Sequence, residues 1–261
     1  MGVVNVTPDS FSDGGRFLDH DRAIAQGLKL LDDGADILDI GGQSTRPGSV
    51  AVSPAEEQDR VIPVIKALSD QGAVVSVDTY FASVMAAAIK AGARIVNDVT
   101  ALEGDKNALG VVLESGVHVI LMHMQGQPQT MQDNPVYDDV VDDVLDYLKT
   151  RVAVCQSAGI GLEKIAVDPG IGFGKTPDHN LEILSSLARF QQSGCPVVLG
   201  ASRKSFIDRI AGPATADQRL GGSIAAVLAG LGQGVQIFRV HDVFETRQAI
   251  KIFNAIEKAG C

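Results

Sequence analysis

Three cysteines in 261 residues, Cys155, Cys195 and Cys261, show no CxxC or other metal-ligand spacing, so neither a thiolate metal site nor a disulfide framework is expected. No apolar stretch reaches the ~18 residues that a membrane-spanning helix needs. The first residues read as a strand and lack the basic start and cleavage site of a signal peptide. No basic run appears either, and a formal net charge of −10 excludes nonspecific nucleic-acid binding, which needs a cationic face. These absences lead us to expect a soluble, cytoplasmic protein that acts on small molecules. An anionic substrate stays compatible with the acidic balance, because a concave site focuses its own field.

What is present is a repeated alternation. Eight short apolar runs, at 2–6, 37–42, 74–78, 95–99, 118–124, 165–170, 196–202 and 237–240, are each followed by polar residues and separated by helix-length segments. That pattern predicts a single (β/α)8 TIM barrel over 1–261, whose chemistry collects at the C-terminal ends of its strands. The mouth so defined holds Asn5, Gln43, Arg46, Asp78, Asn97, Asp98, His123, Asp168, Arg203, Lys204, Arg239 and His241. It reads as a site for a polar heterocycle carrying an anionic group.

The intervening helices are legible too. Ser53 with Glu56 three residues on reads as a capping box, followed by Val61, Ile62, Ile65 and Leu68 at helical spacing. Asp78 and Thr79 are candidate caps of a helix over 80–91, and a longer helix is expected over 140–158, closed by Gly159. The segment 219–232 is apolar around most of its circumference and rich in small residues, which suits either a wedged helix or a dimer interface.

The first βα loop, NVTPDSFSDGG at 5–15, exceeds the usual 2–6 residues for such a connection, and the second, GGQSTRPGS at 41–49, presents further polar groups. These two segments, with SVDT (76–79), VND (96–98), DPGIGFGK (168–175), GASRKS (200–205) and RVHDV (239–243), occur in one order along the chain. On those motifs the chain resembles the dihydropteroate synthase family of pterin-binding (β/α)8 barrels. The resemblance implies that 6-hydroxymethyl-7,8-dihydropterin diphosphate is condensed with 4-aminobenzoate, releasing diphosphate, in folate synthesis. It also implies Mg2+, a homodimer and a sulfonamide target.

Roles follow from the same resemblance. The pterin ring would be read by Asp78, Asn97, Asp168 and Lys204 and bordered by Met122 and Phe173. Asn5, Arg239 and His241 would form the diphosphate subsite, with the Asn5 oxygen on Mg2+ and Asp9 reaching it through water. Phe11, Thr45, Arg46, Pro47 and Ser205 would surround 4-aminobenzoate once the first two loops close. Asp78, Lys204, Arg239 and His241 would carry catalysis by stabilising a pterin cation and the departing diphosphate.

Two departures stand out. Gln43 replaces the glutamate usual in the family, which keeps reach and removes charge. Relatives also carry several residues before the first strand, so a short strand is expected to weaken the barrel seam. A noncatalytic pterin-binding homologue, a methyltetrahydrofolate-binding methyltransferase domain and a lyase with a Lys204 Schiff base are the alternatives. The RVHDV motif and the long first loop speak against the second. Against the third, Lys204 adjoins Arg203 and no separate acid/base pair is apparent.

Overall fold

The computed structural model describes residues 1–7, 16–43, 52–126 and 130–259, with 16–19 as backbone only. Eight parallel strands appear where the apolar runs predict them: β1 (Gly2–Asn5), β2 (Leu38–Gly41), β3 (Val75–Asp78), β4 (Ile95–Asp98), β5 (His118–Met122), β6 (Ile165–Asp168), β7 (Val198–Leu199) and β8 (Ile237–Phe238). The first six pair in chain order, and β7 pairs with β8. Two single bridges complete the ring, Val167 with Val197 and Gly2 with Val240. At the second, the Val3 N–H donates to the Val240 carbonyl at 3.0 Å and the Val240 N–H to the Met1 carbonyl at 2.9 Å. Although β1 is short, its other edge is bonded along its whole length to β2, so both of its edges are occupied and the barrel is closed.

Around it, among the described residues, lie α1 (Arg16–Asp32), α2 (Pro54–Asp70), α3 (Ala82–Lys90), α4 (Ala108–Ser115), α5 (Val140–Ala158), α6 (Pro177–Ser185), α7 (Phe206–Ala211), α8 (Leu220–Gly232) and α9 (Val243–Ala259). The Ser53 side chain accepts from the Glu56 N–H at 3.2 Å and starts α2. Asp139 accepts from the N–H groups of Val141 and Asp142, and Gly159 closes α5 in the left-handed region. The expected capping of α3 is corrected. Its first residue, Ala82, donates to Asp105 at 3.0 Å, and Asp78 turns into the barrel mouth. Only Thr79 keeps a capping contact, its hydroxyl accepting the Phe81 N–H at 3.3 Å while donating to Glu57.

Alternation along each strand sorts the interior. Leu38, Ile40, Val75, Val77, Val96, Val119, Leu121, Ile165, Val167 and Leu199 face the helices and make the main core. The opposite parity faces the barrel axis. Low in the barrel that set is apolar, with Ile95, Ile120, Ala166 and Val198 packed with Met1, Ile37, Val74 and Ile237. Toward the strand ends it becomes Asp39, Ser76, Asp78, Asn97, Met122, Asp168 and Arg239. Among the described residues this apolar layer fills the lower barrel and leaves the polar groups at the C-terminal end.

One buried carboxyl supports the mouth from behind. Glu57 of α2 is 1% exposed, accepts from the Thr79 hydroxyl at 3.2 Å, and its Oε1 has no hydrogen-bond partner among the described residues. Burial pushes it up to about 7, with Asp78 adding and Thr79 and Arg60 opposing. A carboxyl raised in the fold holds a proton that the unfolded chain releases near pH 4.3. Its contribution to stability is therefore complete below about pH 4 and lost as the pH rises through about 7. Glu57→Gln keeps the neutral form at every pH. Urea unfolding should find this variant more stable than the parent by about 1–3 kcal/mol at pH 8 and equal to it near pH 4. A difference independent of pH would refute this account.

Candidate active site

Arg239, just beyond β8, is the centre of the mouth. Its Nε donates to Asp39 Oδ2 at 2.6 Å and its Nη2 to Asp78 Oδ2 at 2.8 Å, while the Asn97 amide donates to Asp39 Oδ2 at 3.1 Å. Four strands therefore meet in one network of two carboxylates, one guanidinium and one amide. Burial opposes the charge on Arg239, but Asp39 and Asp78 outweigh it and hold the guanidinium firmly protonated. Burial raises the Asp78 carboxyl, opposed by Arg239 and reinforced by Asp39 and Asp98. Asp39 is 0% exposed, and among the described residues its Oδ1 has no hydrogen-bond partner, nor has the Ser76 hydroxyl, which sits beside it in register.

Asp39 is the residue that sequence reasoning missed. The signal was in LDIG: Leu38 and Ile40 are core residues on the helix side, so with a period of two the aspartate between them must point into the barrel.

The loop after β6 builds the adjoining wall. Asp168 accepts the Gly170 N–H through Oδ1 at 2.7 Å. Its Oδ2 lies where a Cβ on Gly200 would stand 3.5 Å away, so the glycine leaves that oxygen room toward the mouth. Burial raises this carboxyl, and the Gly170 N–H, Lys204, Arg239 and Lys175 oppose the shift. Phe173 clusters with Met122, Val99 and Met131, and Lys204 Nζ stands 4.0 Å from the centre of its ring. A flat apolar face thus adjoins a cation, two carboxylates and an amide.

On the remaining side, the His241 ring nitrogen Nδ1 lies 3.0 Å from the Ser202 hydroxyl. Burial, then Arg239 and Arg203, bring this histidine down to about 3, so near neutrality it is an uncharged hydrogen-bonding group. Asn5 ends β1 next to Gly41. Ser205 precedes α7 and lines a hollow with Gly172, Gln132 and Arg209.

Three residues expected at the mouth serve the scaffold. Asp98 accepts from Thr100 and from the Leu102 N–H, holding the turn after β4. Arg203 grips both oxygens of Asp242, at 3.0 and 2.5 Å. His123 is buried against Lys175. Phe11, Thr45, Arg46 and Pro47, with Asp9, lie outside the described residues.

The geometry defines a (β/α)8 enzyme site for a flat, hydrogen-bonding heterocycle, open at the strand ends. A family model described as pterin binding enzyme matches residues 1–241. The chain belongs to that family. It is 45% identical to dihydropteroate synthase of Haemophilus influenzae over 99% of this chain and 94% of that protein. Two Xanthomonas albilineans dihydropteroate synthase structures also match. One, with 4-aminobenzoic acid, has TM-score 0.93 at 46% identity and covers 98% of this chain and 92% of its own. The other, in complex with 7,8-dihydropteroate, has TM-score 0.90 at 43% identity with the same coverage.

Proposed function

We propose that this chain catalyses dihydropteroate synthesis, joining the methylene carbon of 6-hydroxymethyl-7,8-dihydropterin diphosphate to the amine of 4-aminobenzoate. The observation that carries it is the arrangement at one strand-end layer: Asp168, Asn97 and Lys204 beside the Phe173 and Met122 wall, with Arg239 at the centre. Asn97 donates one N–H to Asp39, and its side-chain oxygen would serve the ligand as an acceptor. With Asp168 Oδ2 it would receive the donors of the aminopyrimidine edge, and Lys204 would donate to the ring carbonyl. The apolar wall would lie along the flat of the ring.

Departure of diphosphate breaks the C–O bond and leaves a cation spread into the electron-rich ring. Asp78 would stabilise that cation, while Arg239 and His241 would meet the leaving group, the first by charge and the second as a donor. Two nitrogens of Arg239 are engaged by carboxylates, and Nη1 is the one an anion would take. The amine lone pair then closes the C–N bond, and the displaced proton leaves to solvent. An aromatic amine is unprotonated at neutral pH, so no strong base is needed.

The donor set suits magnesium. The Asn5 amide makes no hydrogen bond among the described residues, and no three His, Cys, Asp or Glu side chains cluster there as a metal cage. Mg2+ commonly takes one or two protein oxygens together with substrate phosphates and water. Asn5 would hold it, and when bound it would neutralise charge on the diphosphate. Ser205, with Phe11, Thr45, Arg46 and Pro47 from the two long loops, would receive 4-aminobenzoate after the diphosphate substrate. We assign the protein to the cytoplasm and to a homodimer through the small-residue helix α8. The described residues contain no helix long and apolar enough to cross a membrane.

The test is diphosphate release with Mg2+ and the pterin diphosphate, with 4-aminobenzoate added or withheld. Sustained turnover should require the amine, and release should fall by about 10²-fold or more in Asp78→Asn, consistent with loss of a group that stabilises developing charge. Tight pterin binding without release would instead favour a noncatalytic homologue.

A further inference from the structure

Resting on the pterin reading above, we infer that Lys175 is a positioning residue: its buried ammonium fastens the loop after β6 to the end of β5, presenting Asp168 and Phe173 to the ring as one rigid unit. Lys175 is 1% exposed and belongs to the largest fully buried side chains of the protein. Its Nζ lies 2.9 Å from His123 Nδ1, 3.0 Å from the Phe173 carbonyl and 3.5 Å from the His123 carbonyl. Three acceptors meet three protons. The match requires His123 to be neutral with its lone pair on Nδ1. Burial, then Lys175, bring that imidazole down to about 3, and its ring packs edge-on to Tyr147.

The rest of the loop is tied in the same manner by other elements. Gln132 donates to the Gly172 carbonyl and Tyr137 to the Gly174 carbonyl, both at 2.7 Å, and Asn180 of α6 accepts the Gly172 N–H at 2.7 Å. The Phe173 carbonyl falls to Lys175. A methionine would fill the same space, and burying an ammonium is costly, so packing alone does not account for a lysine here. Burial pulls the amine down to about 7 against the pull of Asp168, with Lys204 adding to the lowering. The charge it retains lies in the field of the carboxyl that is to read the pterin. Lys204 and Arg239 act on Asp168 as well, but both belong to the ligand-binding face, whereas Lys175 is behind it.

The experiment uses the full chain with Lys175→Met, Lys175→Gln and Lys175→Arg, and Asp168→Asn as comparator. Calorimetry measures the Kd for the pterin diphosphate across pH, and turnover gives kcat and the KM of each substrate. Lys175→Met should raise the pterin Kd and KM by about tenfold, as expected if the untied loop holds its binding geometry only about a tenth of the time. Its kcat at saturation and its KM for 4-aminobenzoate should stay within about threefold, since Lys175 touches neither reacting atom. Lys175→Gln keeps donors for the carbonyls and should recover part of the loss. In both neutral variants the acidic limit of pterin binding should move to higher pH, because Asp168 has lost a cation that favours its ionised form; Lys175→Arg should leave that limit in place. A folded Lys175→Met with unchanged pterin KM, or with every kinetic constant impaired alike, would overturn the inference. If Lys175→Met does not fold, the comparison of Gln with Arg decides, equal acidic limits counting against us. Unchanged pterin affinity in Asp168→Asn would instead overturn the pterin reading itself.

Discussion

Arg239→Ala should abolish turnover and destabilise the barrel together, and the destabilisation should grow with pH. The guanidinium stands between Asp39 and Asp78 at 2.6 and 2.8 Å. Removing it leaves two carboxylates on neighbouring strands facing each other without a cation. Breaking a buried pair by deleting one partner costs about 3–5 kcal/mol, because the remaining charge stays buried. Asp78 is already raised by burial and would rise further. A carboxyl raised in the fold supports stability below its unfolded pKa and loses that support as the pH climbs through its folded value. Urea midpoints for the variant should therefore fall more steeply between about pH 5 and 8 than those of the parent. Diphosphate release should fall by about 10³-fold or more, since the same side chain is to meet the leaving group. An equal stability loss at both pH values would mean that the carboxylates are not what the arginine restrains. Restoring stability with Asp39→Asn in the Arg239→Ala background, without restoring turnover, would separate the two roles.

The sequence made the barrel legible because it repeats. Eight runs of one parity, each ending in polar residues, leave little choice of architecture, and all eight strands fall inside the predicted runs. The strand-end residues Asp78, Asn97, Asp168 and Arg239 were also readable, because a strand's last inward position is fixed by its hydrophobic neighbours. Parity applied less evenly misled at Asp98: it adjoins Asn97 in β4, so it must face the helices, where it holds the turn at Ala101 and Leu102 with their left-handed φ of 51° and 66°. Asp39 escaped for the opposite reason. It lies two residues below its strand end, deeper than the polar residues that mark the mouth in sequence, yet it anchors Arg239. Asp78 and Thr79 looked like helix caps because residue type before a helix is a local signal. Thr79 does accept the Phe81 N–H, but the Ala82 N–H is taken by Asp105, brought from the next βα loop by folding. Lys175 and His123 could not be paired from sequence, since their contact joins two loops 52 positions apart.

Gly170→Ala should be the most damaging single-atom-group addition in the loop after β6, and Gly116→Ala measures how much of the damage is not backbone strain. The two glycines have nearly the same left-handed conformation, φ +71° and +65°. Placing a side chain there costs about 1–2 kcal/mol in either case. Around Gly116 no described residue lies within 4 Å of an added Cβ, whereas at Gly170 the Cβ would overlap the His123 carbonyl oxygen. That oxygen is backbone, held at the end of β5, and cannot swing aside like a side chain. Relief requires the loop to move away from β5, which stretches the 2.7 Å bond from Gly170 to Asp168 and the Lys175 bonds together. We expect Gly116→Ala to lose about 1 kcal/mol and keep full activity. Gly170→Ala should lose about 2–3 kcal/mol more through overpacking. It should also lose about 10²-fold in kcat/KM for the pterin substrate, the scale of a misplacement of roughly 1 Å at a reacting centre. Equal unfolding midpoints for the two variants would show that β5 and the loop yield easily, and that the close approach at Gly170 does not set the geometry of Asp168.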